Sequence, residues 1–358
     1  MLLYARGEVL QNIDCNQDMY VEECFKAPCC LQEFRLRPQL VCLGFAEHQI
    51  VERWNFIAKM ASLTERTFAT GVQRGLAMIG IRNHYGHPDY VLTSFARSLG
   101  GVSNNAVVSE DIFLGFQAHL QGKEVGYVTY LQQGKARDTS SLTTYKFESK
   151  ISGGASEMAN SQMFNRLMNG RNTSLAEAYC QFHATVGFFL NHFLVRKLTY
   201  LFMLALVIMG ILKHFIGGNA TTSEAWFLII GVILSIGSLI TFVLDHGPLK
   251  GLVLYVVWII PIMLYQVFHL HTRSHGFEIG LRSKARYIPS GRTYGIEHAN
   301  YKTILEILGE SHIRYMFWLL VLLFINSGLN SDLTVTWFVW ALFFISVVAP
   351  LLFNPGSL

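Results

Sequence analysis

Charged side chains are scarce in this sequence. Asp, Glu, Lys and Arg make up 15% of its residues, against roughly 25% in ordinary soluble domains, which points away from a purely soluble class. Long stretches lack charge altogether. They are Leu198–Leu212, which the apolar turns of Phe188–Leu194 extend, then Ala225–Leu244, Gly251–Leu270, Tyr315–Ser331 and Leu333–Leu358. A bilayer core takes about 20 apolar residues of helix, so four or five of these runs are candidate spans. Buried helices of a large soluble core are the alternative, but no run has the charged face that a surface helix needs.

Other absences narrow the class further. The opening "MLLYARGEVLQNIDCNQD" has no apolar leader, because charge precedes any hydrophobic run. This predicts a soluble half that stays in the cytosol. Cys15, Cys24, Cys29, Cys30, Cys42 and Cys180 show no CxxC pair and no secreted-domain spacing, so they read as reduced structural thiols. The net charge of +4 comes with no arginine-rich run or aromatic-interleaved basic patch. Nucleic acid is therefore not an expected partner.

What is present divides in two near Val195-Arg196-Lys197. Residues 1–187 carry most of the charge and read as a mixed soluble domain. Residues 188–358 hold the uncharged runs and read as a multispan membrane domain, integral and expected in the plasma membrane. If all five runs crossed, residues 271–312 would lie outside, although they hold Arg273, Arg282, Lys284, Arg286, Arg292 and Lys302. Basic loops stay cytoplasmic. The third run follows a tight "DHGPLK" turn and has Pro261 at its middle, where the helical ladder breaks. A re-entrant or interfacial segment there restores the parity. Four spans then keep both ends and the 271–312 loop in the cytosol, with Asn219-Ala220-Thr221 outside as a glycan acceptor.

In the soluble half, "MYVEECFKAPCCLQEF" reads as a helix ending near Pro38, and "QLVCLGF" as a short strand. Residues 52–79 look helical, "DIFLGFQAHL" is an apolar-periodic helix, and "EVGYVTYLQQ" alternates like a strand. Strands interleaved with helices predict an α/β sheet.

Three polar clusters can carry chemistry. Asp14, Asn16 and Asp18 alternate, as oxygen ligands of a divalent cation can, and as ordinary Asx turns also do. Glu110 and Asp111 open a predicted helix. There they complement its dipole, or Asp111 faces a cleft as a general base. Lys135, Arg137 and Asp138 follow Gly134 on a loop that suits phosphate or a solvated turn. A fourth stretch, "NHYGHPDY", holds His84 and His87 without the spacing or third ligand of a zinc site. Its Gly-His-Pro-Asp portion reads as a rigid corner, with Asp89 capping a helix that begins near Val91.

Taken in order, "RGEVLQNIDCNQDMYVEE", "CLGFAEHQI", "NHYGHPDY", "GGVSNNAVVSEDIFLGF", "QQGKARD", "HATVGFFLNHF", "ARYIPSGRTYGIEH" and "APLLFNP" resemble the 1,3-beta-glucan synthases, the family of callose synthases and fungal cell-wall glucan synthases. The resemblance covers nearly the whole chain. Family members are far longer, so it implies the C-terminal part of a longer polypeptide. The fold implied is the later portion of a GT-A-like α/β glycosyltransferase domain, followed by α-helical membrane spans.

The activity implied is inverting transfer of glucose from UDP-glucose to a growing beta-glucan chain, with export through the membrane. Asp111, with Glu110 beside it, is then the general base. Lys135 and Arg137 stabilise the UDP leaving group, with Asp138 alongside. Asp14, Asn16 and Asp18 line the donor site, where Asp14 and Asp18 are candidate Mg²⁺ ligands. His84, His87 and Asp89 shape the cleft floor, and Arg6 and Glu8 brace it. Membrane lipid and a small GTPase regulator are implied partners. The chain departs from the family pattern at Ser98-Leu99-Gly100-Gly101, where relatives read TRGG, and at Ser103-Asn104-Asn105, where they read SKA. Two basic residues are thereby absent. A catalytically inactive relative serving as scaffold or regulator is the alternative function.

Overall fold

The computed structural model describes residues 6–12, 17–18, 21–50, 56–66, 71, 73–84, 89–100, 110–136, 141–159, 162–171, 174–187, 189–190, 242–268 and 270–282. Isolated positions within 208–240 and 317–341 are also described. Among the described residues the fold is mixed α/β and mostly helical, with one small sheet. Its five strands are β1 (Val9–Asn12), β2 (Gln17–Asp18), β3 (Leu40–Ile50), β4 (Asp89–Leu92) and β5 (Glu124–Ala136), in the order β1-β4-β3-β5-β2. Central β3 pairs in parallel with β5 and antiparallel with β4.

The strand "LVCLGF" has no polar position in alternation because both of its faces are covered. Cys30 and Phe34 of α2 (Ala27–Leu36) pack with Leu40, Leu43, Phe45, Tyr90, Val128 and Leu131 on one face. On the other, Val41, Cys42, Val91 and Val125 meet α5 (Thr93–Ser98) through Phe95 and Ala96, and α6 (Glu110–Leu120) through Leu114 and Ala118. Each large apolar side chain so removed from water contributes about 1.5–3 kcal/mol. The register slips between Gly44 and Ala46, opposite Tyr127 and Gln132, so β5 bulges out over residues 128–131. One expectation is corrected here. The chain after Asp89 is not helical: Asp89–Leu92 is a strand wedged between β1 and β3, and the helix starts only at Thr93. Two flanking ladders outweigh a local capping preference.

Between β3 and β4 run α3 (Phe56–Arg66) and α4 (Arg74–Met78); α1 (Val21–Cys24) precedes α2. After β5 come α7 (Ser141–Ala159), α8 (Gln162–Met168), α9 (Leu175–Phe182) and a π-helical turn, His183–Gly187. Two later helices return to this body: α10 (Pro248–Phe268) and α11 (Leu270–Arg282). α11 packs on α7 along a seam of small residues. A Cβ on Gly280 would strike Ser156 Oγ, and one on Gly276 would sit 2.5 Å from the Ser149 carbonyl oxygen. Across the seam Arg273 Nη2 donates to Glu148 Oε1 at 2.8 Å, and Nε donates to Oε2, in a fork.

The helix α10 continues through Pro261, where a break is expected. A proline forfeits one helical hydrogen bond, but Ile262 beside it is anchored in a cluster with Met60, Ala61 and Phe242. Among the described residues no helix is long and apolar enough to cross a membrane; the side chains of α10 are described as far as Ile262. Apart from isolated positions and residues 242–244, the other four uncharged runs lie outside the described residues, as does Asn219.

Candidate functional site

Asp89, the first residue of β4, lies between Asn12 of β1 and Gly44 of β3. Arg82, Asn83, His84 and Asp89 are each only 1% exposed. Four polar residues buried together need partners, and Arg82 and Asp89 find theirs within and beside the group. Arg82 donates from Nη1 to the Gly126 carbonyl at 3.0 Å and from Nη2 to Gln73 Oε1 at 2.7 Å. The same Nη2 reaches Asp89 Oδ1 at 3.1 Å, and the guanidinium stands over the Tyr127 ring at 5.5 Å. The ring nitrogen Nδ1 of His84 pairs with Asp89 Oδ2. Burial works to raise the Asp89 pKa, but Arg82 and His84 outweigh it and hold the carboxyl below its usual range.

Two glycines make the cluster possible. A Cβ on Gly44 would run into the Arg82 guanidinium and Asp89 Oδ1, and one on Gly115 of α6 would run into Asn83 Oδ1. His119, one turn further along α6, is bonded through Nε2 to the Arg82 carbonyl at 2.8 Å. Burial lowers its pKa more than that bond raises it. Cys42 on β3 is fully buried beside the cluster, and burial, with Asp89 adding to it, pushes its thiol up. It stays a neutral packing residue.

From this buried base the cluster reaches a more open position at Asp111. His84 Nε2 lies 3.7 Å from Asp111 Oδ1, and the Asp111 side chain is 22% exposed. The result is a chain Arg82–Asp89–His84–Asp111 that runs from the sheet core to the first turn of α6. A carboxylate so placed can accept a proton from an incoming hydroxyl, with the imidazole 3.7 Å behind it. Sequence reasoning selected His84, Asp89, Glu110 and Asp111, and the structure brings His84, Asp89 and Asp111 together; Glu110 is adjacent and half-buried. It missed Arg82 and His119, although Arg82 stands only two residues before His84.

The remaining candidates are spread more widely. β2 pairs with β5 so that Asp18 faces Gly134 and Gln17 faces Lys135. The backbone thereby joins the end of the D-x-N-x-D stretch to the start of the basic loop. Side chains of Asp18 and Lys135 are outside the described set, and Asp14, Asn16, His87, Arg137 and Asp138 lie outside the described residues. Arg6 and Glu8 are exposed before β1. Glu8 accepts from Arg35 at 3.3 Å, and its carbonyl takes the Thr93 N–H. This is the opposite end of the β1–β4 ladder from Asp89, so the structure does not bring this pair to the cluster. Among the described residues no group of three His, Cys, Asp or Glu is placed to hold a metal ion.

Residues 1–226 match the family model described as 1,3-beta-glucan synthase component. Over 99% of its length the chain is 31% identical to putative callose synthase 8 of Arabidopsis thaliana, covering 19% of that protein. It is also 31% identical to callose synthase 9 and to callose synthase 3 of the same plant, covering 20% of each. The chain thus spans about a fifth of the length of the curated relatives it matches.

Proposed function

The chain belongs to the 1,3-beta-glucan synthase family, and from that premise we propose that it is the later part of a UDP-glucose-dependent 1,3-beta-glucan synthase. It would comprise the end of the cytosolic glycosyltransferase domain and membrane helices that follow it, in a multispan protein of the plasma membrane. The observation that carries this reading is Asp111, a partly exposed carboxylate at a helix start backed by His84, Asp89 and Arg82.

In the proposed step the 3-hydroxyl of the glucan end attacks the anomeric carbon of the donor glucose. The C1–O bond to the diphosphate breaks with inversion, the proton passes to Asp111, and UDP leaves with the bonding pair. Lys135 and Arg137 stabilise the charge that develops on UDP, as preorganised cations do. Asp14, Asn16 and Asp18 line the donor pocket, where Asp14 and Asp18 would hold a Mg²⁺ that neutralises diphosphate charge. Relatives bearing the name callose synthase support glucose as the sugar. The partners of the whole protein are the elongating beta-glucan, membrane lipid, the upstream part of the polypeptide and a small GTPase regulator.

The test supplies radiolabelled UDP-glucose to the full-length protein that carries this chain. The expected product is a polymer cut by endo-1,3-glucanase and resistant to cellulase. Incorporation from UDP-N-acetylglucosamine alone would overturn the donor assignment. A folded, membrane-inserted protein that makes no polymer would favour the inactive scaffold, the reading that the two missing basic residues near Leu99 and Asn104 support.

A further inference from the structure

We infer that the outer edge of β5, over residues 126–130, receives an extended segment from the upstream part of the polypeptide, added to the sheet as a further strand. The inference rests on the reading above that this chain is the later part of a longer synthase. It names the place where the earlier part engages the sheet.

The two edges of β5 are used unequally. β3 runs along one edge, pairing with residues 124–127 and again with 132–136. On the other edge β2 meets only Gly134 and Lys135, and among the described residues no other strand pairs there. Residues 128–131 stand outside both ladders. A cleft of about 360 Å³ opens along this stretch. Its lining comes from both faces of the sheet, which only an edge allows. Gly126 and Val128 look to the α2 face, where Leu43 packs. Tyr127, two residues after Val125, lies under the Arg82 guanidinium on the α6 face. Arg37, just past α2, and Arg74 and Met78 of α4 form the walls.

The sequence of the stretch says that this edge is covered in the whole protein. From Val125 to Leu131 it has no charge and no proline, and β-branched and aromatic residues fill it. Edges left to solvent are blunted by charge, proline, short length or a bulge, because unpaired N–H and C=O groups recruit other strands. Only the bulge is present here. Lys26 donates to the Tyr130 carbonyl at 2.9 Å, and Thr129 beside it is exposed. Arg74 is half-buried and makes no ion pair among the described residues, so an acidic residue of the added segment suits it. Arg37, by contrast, is already paired with Glu124 and Glu33. Met78, 79% exposed, offers the segment an apolar contact on the Arg74 wall.

Size favours a tethered occupant. Five residues of strand span only about 17 Å, and so short a segment falls well below the roughly 1,600 Å² that separate proteins bury in a stable complex. A segment of the same polypeptide needs less contact, because its effective concentration is high. The chain covers 19% of one curated relative and 20% of another, so about four-fifths of their length lies outside the match. Strand addition to an exposed edge is then the mode of docking.

Photocross-linking of the full-length protein tests this. Benzoylphenylalanine is placed at Thr129 or at Met78, and a specific protease site is inserted just ahead of Met1. After irradiation and cleavage, the upstream fragment should stay covalently joined to this chain, with the cross-link in one short segment. Thr129→Pro should abolish the Met78 adduct, because proline cannot donate to a ladder and residue 129 lies outside both existing ones. Arg74→Glu, which leaves the backbone untouched, should cost most of the Thr129 adduct. Cross-links to a second copy or to a separate protein, or none at either position, would overturn the proposal. So would a Met78 adduct that survives Thr129→Pro. A denaturing gel reads the premise separately. Unmodified protein running at the 40.5 kDa of this chain, and no larger, would remove the longer polypeptide and the proposal with it. The expected cross-link in a protein that makes no polymer would fail the activity reading alone and support the docking.

Discussion

His84 stands between two carboxylates, its Nδ1 paired with Asp89 and its Nε2 3.7 Å from Asp111 Oδ1. The first carboxylate is buried and the second is reachable, so the imidazole links the core to the working surface. Asp111→Asn is nearly isosteric and should leave folding intact, yet a neutral amide cannot take the acceptor's proton. A loss of about 10²–10⁴-fold in turnover is expected at saturating UDP-glucose, the range for general-base help. Retention of more than about a tenth of wild-type turnover, above even the mild end of that range, would leave Asp111 as a helix-capping residue only.

With Asp111 as the proposed base, His84 would act through it as a positioning residue. His84→Gln should lower turnover by less than Asp111→Asn while leaving the KM for UDP-glucose unchanged. In the double variant the two losses should not add, because both act through one carboxylate. Additive losses would show that His84 serves the fold alone.

Lys135 lies on β5 opposite Gln17, next to the Asp18–Gly134 pair. Lys135→Ala should cost roughly 10²–10³-fold in turnover if its cation meets the leaving diphosphate. Lys123→Gln is the control: its contact with Gln39 is exposed, and it should change turnover little. Equal losses in the two variants would remove Lys135 from the donor site.

The sheet was legible where side chains alternate or where apolar residues run without interruption, as in β5 and β3. β4 was not. Its four residues, Asp89 to Leu92, are too few for a period, and what makes them a strand is the pair of ladders on either side. The site was legible through its motif, down to Asp111. Arg82 escaped because a buried guanidinium is recognisable only by the carboxylate and carbonyls that gather round it, and Gly126 lies 44 positions away. The continuity of α10 through Pro261 was equally hidden, since it depends on packing against α3.

Stability should fall on mild acidification. Burial lowers the pKa of His119 and takes that of His183 down to about 4, against about 6.5 in an unfolded chain. Between those values the unfolded state binds more protons than the folded one, so unfolding free energy rises with pH across the window and declines as pH drops from about 6.5 toward 4. Asp89 contributes with the same sign at lower pH. Its lowered pKa gives stability that is present above about pH 4 and lost below it. Thermal unfolding followed from pH 7.5 to 4.5 should show a falling midpoint, and His183→Phe should reduce the slope. A midpoint independent of pH over that interval would contradict both burial assignments.

The strictest test of the cluster's geometry is the space its glycines leave. Gly44 has no room for a Cβ, since Arg82 and Asp89 occupy that volume from the β4 side. Neither neighbour can retreat cheaply: Arg82 is held by Gln73 and Gly126, and Asp89 by its strand. Gly44→Ala must therefore shift the ion cluster or bow β3. Overpacking of this kind costs about 1–3 kcal/mol, which in a domain of this size lowers the midpoint by about 2–4 °C per kcal/mol. Gly115→Ala should behave alike, because Asn83 and the His84 backbone lie against it. Gly75 in α4 is the opposite case, with nothing within 4 Å of its added methyl. There alanine should stabilise, by up to about 1 kcal/mol of helix propensity. The three variants, read together by differential scanning fluorimetry of the full chain, should give two negative shifts and one positive. If Gly44→Ala unfolds no earlier than wild type, β3 and the Arg82–Asp89 pair are not in contact at that point, and His84 loses the rigid support through which it positions Asp111.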